Sequence, residues 1–226
     1  MERTFPVTST RTSSRSTFIT QTYLHLMGAI AAFVALEVFY FQTGLAERMA
    51  QAMLGTSWLL VLGAFMVASW LATRAAHNAR SMGSQYLGLG LYVLAQSVIF
   101  VPLLFVANYY APGAISTAAG ITTVGFLGLT AVVFTTRKDF SFMGSVLRWG
   151  GVMALVTIVA GVIFGFHLGM FFNIAMVGLA GGAILYDTSN VLHHYPNDRY
   201  VAASLQLFAS VALMLWYVLR LVMSRD

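Results

Sequence analysis

Residues 173–224 read NIAMVGLAGGAILYDTSNVLHHYPNDRYVAASLQLFASVALMLWYVLRLVMS, two long apolar runs separated by a short polar loop. Each run has about twenty residues, the length with which an α-helix crosses the hydrocarbon core of a bilayer. One acid, Asp187, falls at the end of the first run. An ionisable side chain at the edge of a membrane span is costly, so Asp187 is a candidate functional residue whose partner must be found.

The composition indicates that the whole chain is built for a membrane. Of its 226 residues, 59% are hydrophobic and only 8% are charged, and the mean hydropathy is +0.80. A soluble domain is about a quarter charged. The absence of cysteine excludes disulfides and thiolate chemistry. We interpret the net charge of +5 as a topology signal and expect no nucleic-acid partner.

Seven membrane-spanning helices are predicted, with no separate soluble domain in residues 21–226. The first twenty residues are polar, and we expect a disordered cytoplasmic tail; an organelle transit peptide is the alternative. Pro102 should kink the third span or end its regular part. The predicted spans are Thr22–Phe41, Ser57–Thr73, Tyr86–Ala107, Ala114–Phe134, Val146–Phe166, Leu168–Tyr186 and Val201–Met223.

The basic residues predict the orientation, because Lys and Arg collect on the cytoplasmic side of a membrane. With the N-terminus inside, nine basic residues are cytoplasmic and three are outside, and seven spans place the C-terminus outside. A re-entrant last segment, which would return the C-terminus to the inside, is the alternative. The cytoplasmic set is Arg3, Arg11, Arg15, Arg74, Arg80, Arg137, Lys138, Arg148 and Arg199, and the outer set is Arg48, Arg220 and Arg225.

Asp187 is the candidate gate or pH sensor. Desolvation and the negative end of its helix both disfavour the ionised carboxylate, so this group could titrate in the physiological range. A side chain that only reaches cytoplasmic water is the alternative. Gln206 and Ser210 share one face of the last span, and Ser210 reaches Asp187 only if the sixth helix continues past Asn190. The other candidate partners are Arg74, Arg80, His193 and His194.

Two further sites are weaker candidates. Glu37, near the outer end of the first span, could mark the outer mouth of a cation path, reach outer water, or pair with a polar neighbour. His193 and His194 are adjacent and point about 100° apart on a helix, which is poor geometry for binding one metal ion. They remain candidates for pH sensing at the cytoplasmic side.

Enzyme activity has little support in the sequence. There is no HExxH zinc motif, no GxSxG serine elbow and no glycine-rich phosphate loop with a lysine. The only lysine, Lys138, lies in a predicted loop, which excludes a retinal Schiff base within a span. We therefore expect no enzyme and no cofactor, with calcium considered only as a permeant ion.

The run from Gly182, GAILYDTSNVLHH, and the final helix ending in LWYVLRLV resemble the signature of the Bax inhibitor-1 family. The resemblance covers roughly Ala64 to Met223 and implies a seven-helix bundle with the last helix central. It also implies a pH-sensitive calcium leak in which two aspartates share a proton and an arginine from the second helix binds the pair. These roles fall on Asp187, on Ser210 in place of the second aspartate, and on Arg74, with Arg80 as a competitor.

Ser210 is the departure from that pattern. A carboxylate that faces a hydroxyl lacks the coupled titration of two acids, and one negative charge makes Asp187 a weak calcium ligand. The leading hypothesis is a pH-sensitive cation leak in a bacterial inner membrane. The alternatives are a non-conducting regulator that binds a membrane protease or stress-response protein, a proton-coupled transporter, and an enzyme.

Overall fold

The computed structural model describes residues 7–78 and 81–224, and the side chains of residues 14–77 and 81–224. Over these residues the chain forms helices and short connections. Seven of the helices are long and apolar enough to cross a membrane, as predicted, so the chain is an integral membrane protein. The helices are α1 (Val7–Gln42), α2 (Leu45–Leu54), α3 (Trp58–Asn78), α4 (Met82–Tyr110), α5 (Ala114–Thr136), α6 (Met143–Phe164), α7 (Met170–His193) and α8 (Tyr200–Met223).

The short helix α2 is the element that the hydropathy pattern does not predict. It lies between the first two spans, where Ala46 and Ala50 are buried against Tyr40 and Val101. Its ten residues are too few to cross a bilayer. The seven long helices therefore alternate in direction, and α2 caps the face where α1 ends. We call that side the α2 face and the side where α1 begins the N-terminal face.

The expected disordered tail is not found in residues 7–20, which continue α1. Phe18, Thr22 and Leu26 are buried at helical spacing, so the packed stripe of α1 starts well before the predicted span. Residues 1–6 lie outside the described residues. The prediction placed this boundary too late because average hydropathy falls in a polar stretch even where every fourth residue is buried.

The interior is formed by two helices, α4 and α8. More than half of the most apolar window of α4 and half of that of α8 is buried, against 28% or less in the other five spans. Aromatic side chains fill their contact with α1: Phe33 lies edge-on to Phe100 at 5.1 Å and to Phe208 at 6.1 Å. Because α4 is as deeply buried as α8, a central position for the last helix alone stays a prediction.

Pro102 does not end its helix, since α4 continues to Tyr110. A proline within a membrane span costs one backbone hydrogen bond, whereas a break would expose several backbone groups to hydrocarbon. The sixth span, predicted to end at Tyr186, was too short at its C-terminal end, because α7 continues to His193. This extension is the condition under which Asp187 and Ser210 can meet.

Candidate functional site around Asp187

Asp187 and Ser210 meet inside the bundle. Asp187 lies six residues before the end of α7, about 9 Å from it, and Ser210 lies ten residues into α8, about 15 Å. The Ser210 hydroxyl donates a hydrogen bond to Asp187 Oδ2 at 2.5 Å, and both side chains are buried. This pair is the buried carboxylate and hydroxyl that the sequence analysis predicts. Whether it acts as a gate or a pH sensor stays a prediction.

Arg74 is not a partner of Asp187 in this structure. Its side chain is exposed, and its guanidinium lies over the Trp70 ring, 5.2 Å from the centroid. Ala72 and Ala76 face the interior, and 3.6 residues per turn place Arg74 roughly opposite that face of α3. Among residues 14–77 and 81–224, no ion pair involves Asp187. The competing residue Arg80 lies outside the described residues.

The other candidates are distributed over three places. Gln206 is half-buried one turn before Ser210 on α8. Among the described residues, the hydrogen bond to the Asp187 carboxylate comes from Ser210 and not from Gln206. His193 is exposed, and its ring lies 6.1 Å from the ring of His194. His194 points away from the interior. Its Nε2 donates to Asp139 Oδ2 at 2.9 Å in the loop between α5 and α6.

Within the part of the chain that the structure describes, Glu37 is buried away from water and pairs with no polar neighbour, which corrects both of those alternatives. Its side chain is 7% exposed, and neither carboxylate oxygen has a hydrogen-bond partner among the described residues. It lies on α1 one turn before Tyr40, where α2 covers the end of the bundle. The prediction was wrong because the hydropathy pattern does not predict α2. A role at the mouth of a cation path stays a prediction.

The connection between α7 and α8, residues 194–199, binds several other elements; we call it the α7–α8 turn. Arg199 donates from Nη1 to the carbonyl oxygen of His77 at the end of α3. The Tyr195 hydroxyl is hydrogen-bonded to His77 Nε2 at 3.3 Å, and Gln85 Nε2 donates to the Asp198 carbonyl at 3.3 Å. Burial and the nearby charge of Asp187 raise the pKa of Tyr195. The turn therefore joins the end of α3 and the start of α4 to the end of α7 at the N-terminal face.

Arg15 is a functional residue that the sequence reasoning missed, because it was counted only as a topology charge. Its guanidinium donates to two carbonyl oxygens at the end of α7, Nη2 to Val191 at 2.7 Å and Nε to Leu192 at 3.3 Å. Its Nη1 donates to the carbonyl oxygen of Tyr195 in the α7–α8 turn. The last carbonyls of a helix lack partners within the helix and carry partial negative charge. Arg15 satisfies them, so α1 holds the end of α7 in place.

We expect Arg15→Ala to lower the free energy of unfolding by about 1–3 kcal/mol, because several hydrogen bonds from a charged group are lost and the carbonyls lose their partner. Thermal unfolding in detergent measures this change. Arg148→Ala removes an exposed arginine near the same face and should have little effect. Equal unfolding midpoints for the two variants would contradict the proposed contact.

Asp139 is a second missed residue. Ser141 N–H donates to its Oδ1 at 2.8 Å, and Ser189 Oγ donates to the same atom at 3.4 Å. The backbone hydrogen bond from Ser141, with smaller contributions from His194, lowers the pKa of Asp139 to about 2. The ionised carboxylate thus attaches the α5–α6 loop to the end of α7.

The sign of this pKa shift sets a pH window for the Asp139 contact. A carboxylate whose pKa is lowered by folding stabilises the folded state at any pH above its ordinary pKa of about 4. This contribution is lost as the pH falls toward the folded-state pKa of about 2. In a His194→Gln background, which removes histidine protonation, Asp139→Asn should lower the unfolding midpoint equally from pH 8 to about pH 5. The difference should shrink only below about pH 4. A difference that already vanishes near pH 6 would refute this assignment.

A cavity of about 800 Å³ lies between α3, α4, α6 and α8 toward the α2 face. Ser210 lies at its deep end and Arg220 at its mouth, and most of its surface is apolar. No aspartate or glutamate lines it among the described residues. Ser210 lines this cavity and Asp187 does not, so the buried pair meets the cavity through Ser210.

Comparison with known proteins identifies the family. The family model described as Inhibitor of apoptosis-promoting Bax1, abbreviated Bax1-I, matches residues 15–226. The chain belongs to the Bax1-I family. The matched region includes Arg15, the Asp187–Ser210 pair and the α7–α8 turn. The family on which the sequence resemblance rests is therefore confirmed.

Three relatives, two bacterial and one viral, are similar to this chain. The Uncharacterized protein Cj0236c of Campylobacter jejuni is 33% identical over 236 residues, 96% of this chain and 94% of that protein. The Modulator of FtsH protease YccA of Escherichia coli K12 is 35% identical over 100 residues, 43% of this chain and 44% of that protein. The Golgi anti-apoptotic protein of vaccinia virus strain Lister is 28% identical over 144 residues, 59% of this chain and 57% of that protein. The match to the E. coli protein thus spans less than half of its length.

Proposed function

We propose that this chain is a non-conducting membrane regulator that modulates a membrane-bound protease of the FtsH kind. The observation that carries the proposal is the likeness to the E. coli protein named Modulator of FtsH protease. An E. coli relative with the same match is named Inner membrane protein, which supports a bacterial inner membrane as the location. We place the N-terminal face in the cytoplasm, because basic residues collect on that side.

The geometry of the buried pair supports a non-conducting regulator over a calcium leak. Ca²⁺ takes six to eight oxygen ligands, typically with several carboxylates. Asp187 is one carboxylate facing one hydroxyl. In the part of the chain that the structure describes, no group of three acidic, histidine or cysteine side chains could hold a metal ion. Among the described residues, the cavity mouth carries Arg220 and no acid, so its charge repels cations instead of attracting them.

Co-reconstitution with an FtsH-type protease tests the proposal. The degradation rate of a membrane-anchored substrate is measured in vesicles at increasing ratios of this chain to the protease. A regulator that binds the protease changes the rate in a saturable way and co-purifies with the protease after mild solubilisation. An unchanged rate at every ratio, with no co-purification, would refute the proposal.

A cation leak gated at Asp187 is the second candidate, and one observation favours it. The cavity from the α2 face stops at Ser210, so separation of Ser210 from Asp187 would open a route toward the N-terminal face. Calcium-dye flux into vesicles tests this candidate with wild type, Asp187→Asn and Ser210→Asp. A leak gated by Asp187 gives three different pH–flux curves. The calcium flux should be weakest in Asp187→Asn, which has no carboxylate at either position of the pair. Identical curves for all three would dismiss the gating role.

A further inference from the structure

The cavity between α3, α4, α6 and α8 has the chemistry of a lipid site. Its volume of about 800 Å³ falls in the range of pockets that hold a small ligand, about 300–1,000 Å³. Apolar side chains such as Ile99, Leu103 and Leu213 form the middle of its wall. This apolar part of the wall suits hydrocarbon better than a permeating ion.

The dimensions of the cavity match one leaflet of a bilayer. Ser210 at the deep end and Arg220 at the mouth are ten residues apart on α8, about 15 Å at 1.5 Å per residue. The hydrocarbon core of a bilayer is about 30 Å thick, so one leaflet contributes about 15 Å. An acyl chain that enters from this leaflet would therefore reach the level of Ser210 while its head group stays at the level of Arg220.

The charge at the mouth selects the head group. Arg220 is half-buried at the mouth, and no ion pair involves it among residues 14–77 and 81–224. His167, in the connection between α6 and α7, lines the same mouth and offers ring nitrogens for hydrogen bonds. An anionic head group complements this arginine, whereas a zwitterionic one brings its own positive charge to it.

The sparse contact between α3 and α6 bears on how lipid would enter. α3 and α6 form opposite walls of the cavity but contact each other only sparsely. Both helices are among the least buried of the seven spans, at 11% each, so their outer surfaces face the bilayer. Lipid would therefore enter the cavity between these two helices.

We propose that this cavity binds one acyl chain of an anionic phospholipid from the leaflet at the α2 face, with the phosphate against Arg220. The site does not rest on protease modulation, and an acyl chain bound in it would occupy the route that a cation leak would use. Trp58 and Trp216 line the cavity and stack with ring centroids 6.1 Å apart, so their fluorescence reports on an occupant.

Quenching by brominated lipids tests the site in the full chain. Trp70→Phe and Trp149→Phe first remove two exposed tryptophans that contact bulk lipid, leaving Trp58 and Trp216. The protein is placed in phosphatidylcholine nanodiscs that contain a small fraction of phosphatidylglycerol, with bromine on the acyl chains of one lipid or the other. We expect brominated phosphatidylglycerol to quench with about fivefold higher apparent affinity than brominated phosphatidylcholine. This is the preference for an anionic lipid that one basic residue provides.

Two variants separate the head-group contact from the chain contact. Arg220→Gln changes a half-exposed residue and should abolish the preference for phosphatidylglycerol while the fold is retained. Ala209→Phe fills the cavity wall and should remove quenching by either lipid, with an unchanged unfolding midpoint as the control for folding. Equal quenching by both lipids in wild type, unaltered in the two variants, would overturn the site. Quenching by a brominated fatty acid but not by phosphatidylglycerol would overturn the assignment to a phospholipid.

Discussion

Replacing Ser210 with aspartate is expected to make the stability of the protein strongly dependent on pH. The substitution places a second carboxylate beside buried Asp187, whose Oδ2 now lies 2.5 Å from the Ser210 hydroxyl. Two like charges about 4 Å apart repel by about 4 kcal/mol at the effective dielectric constant of about 20 that suits protein sites. The pair must hold one proton or separate, so Ser210→Asp should unfold at a lower temperature at pH 8 than at pH 5.

Two controls isolate the repulsion between carboxylates. Ser210→Asn introduces a side chain of similar size without charge and should show no such pH dependence. The double variant Asp187→Asn/Ser210→Asp restores a single carboxylate on the opposite helix and should recover most of the stability at pH 8. If Ser210→Asp is as stable at pH 8 as at pH 5, positions 187 and 210 do not share a buried site.

Replacing Gly88 with alanine is expected to force α3 and α4 apart. A Cβ at this position would lie 2.6 Å from the Ala72 carbonyl oxygen and 2.7 Å from the Ala76 nitrogen. Both are backbone atoms, so no side chain can rotate away to make room. Overpacking of this kind costs about 1–3 kcal/mol, and more where the backbone must move. Gly88→Ala should therefore lower the unfolding midpoint in detergent.

Gly90 provides the matched control on the same helix. Nothing lies within 4 Å of a Cβ built at Gly90, so Gly90→Ala adds a methyl group in open space. Alanine is favoured over glycine inside a helix by about 0.5–1 kcal/mol, so this variant should be unchanged or slightly more stable. Because helix propensity favours both variants, equal loss of stability in the two would show that the α3–α4 contact at Gly88 does not explain the result.

Hydropathy and composition predicted most of the fold. Seven spans follow from apolar runs of membrane length, and the absence of Gly and Pro in residues 189–194 left α7 free to extend until Asp187 met Ser210. The short helix α2 was missed because it has only ten residues, of which two are buried. The burial of Glu37 at the end of the bundle that α2 covers was missed with it.

The partners of Asp187 and of the α7–α8 turn were harder to predict, because they depend on how each helix is rotated about its axis. The sequence does not show which face of α3 points to the interior, and Arg74 lies on the face that points outward. Arg15 contacts carbonyls more than 170 positions away in the sequence. Asp139 follows two basic residues that read as a topology signal, and its partner His194 lies 55 positions further on. The helical spacing of Phe18, Thr22 and Leu26 was the one local signal that could have extended α1 to Arg15.

The most direct test of a non-conducting regulator measures proteolysis while ion movement is made irrelevant. The degradation of a membrane-anchored substrate by an FtsH-type protease is followed in vesicles that contain this chain, with calcium chelated on both sides and an ionophore dissipating cation gradients. Direct modulation of the protease predicts that the chain changes the degradation rate as much under these conditions as without chelator and ionophore. If the change in rate disappears, the chain acts through an ion flux, and the account given for the single carboxylate at Asp187 is contradicted.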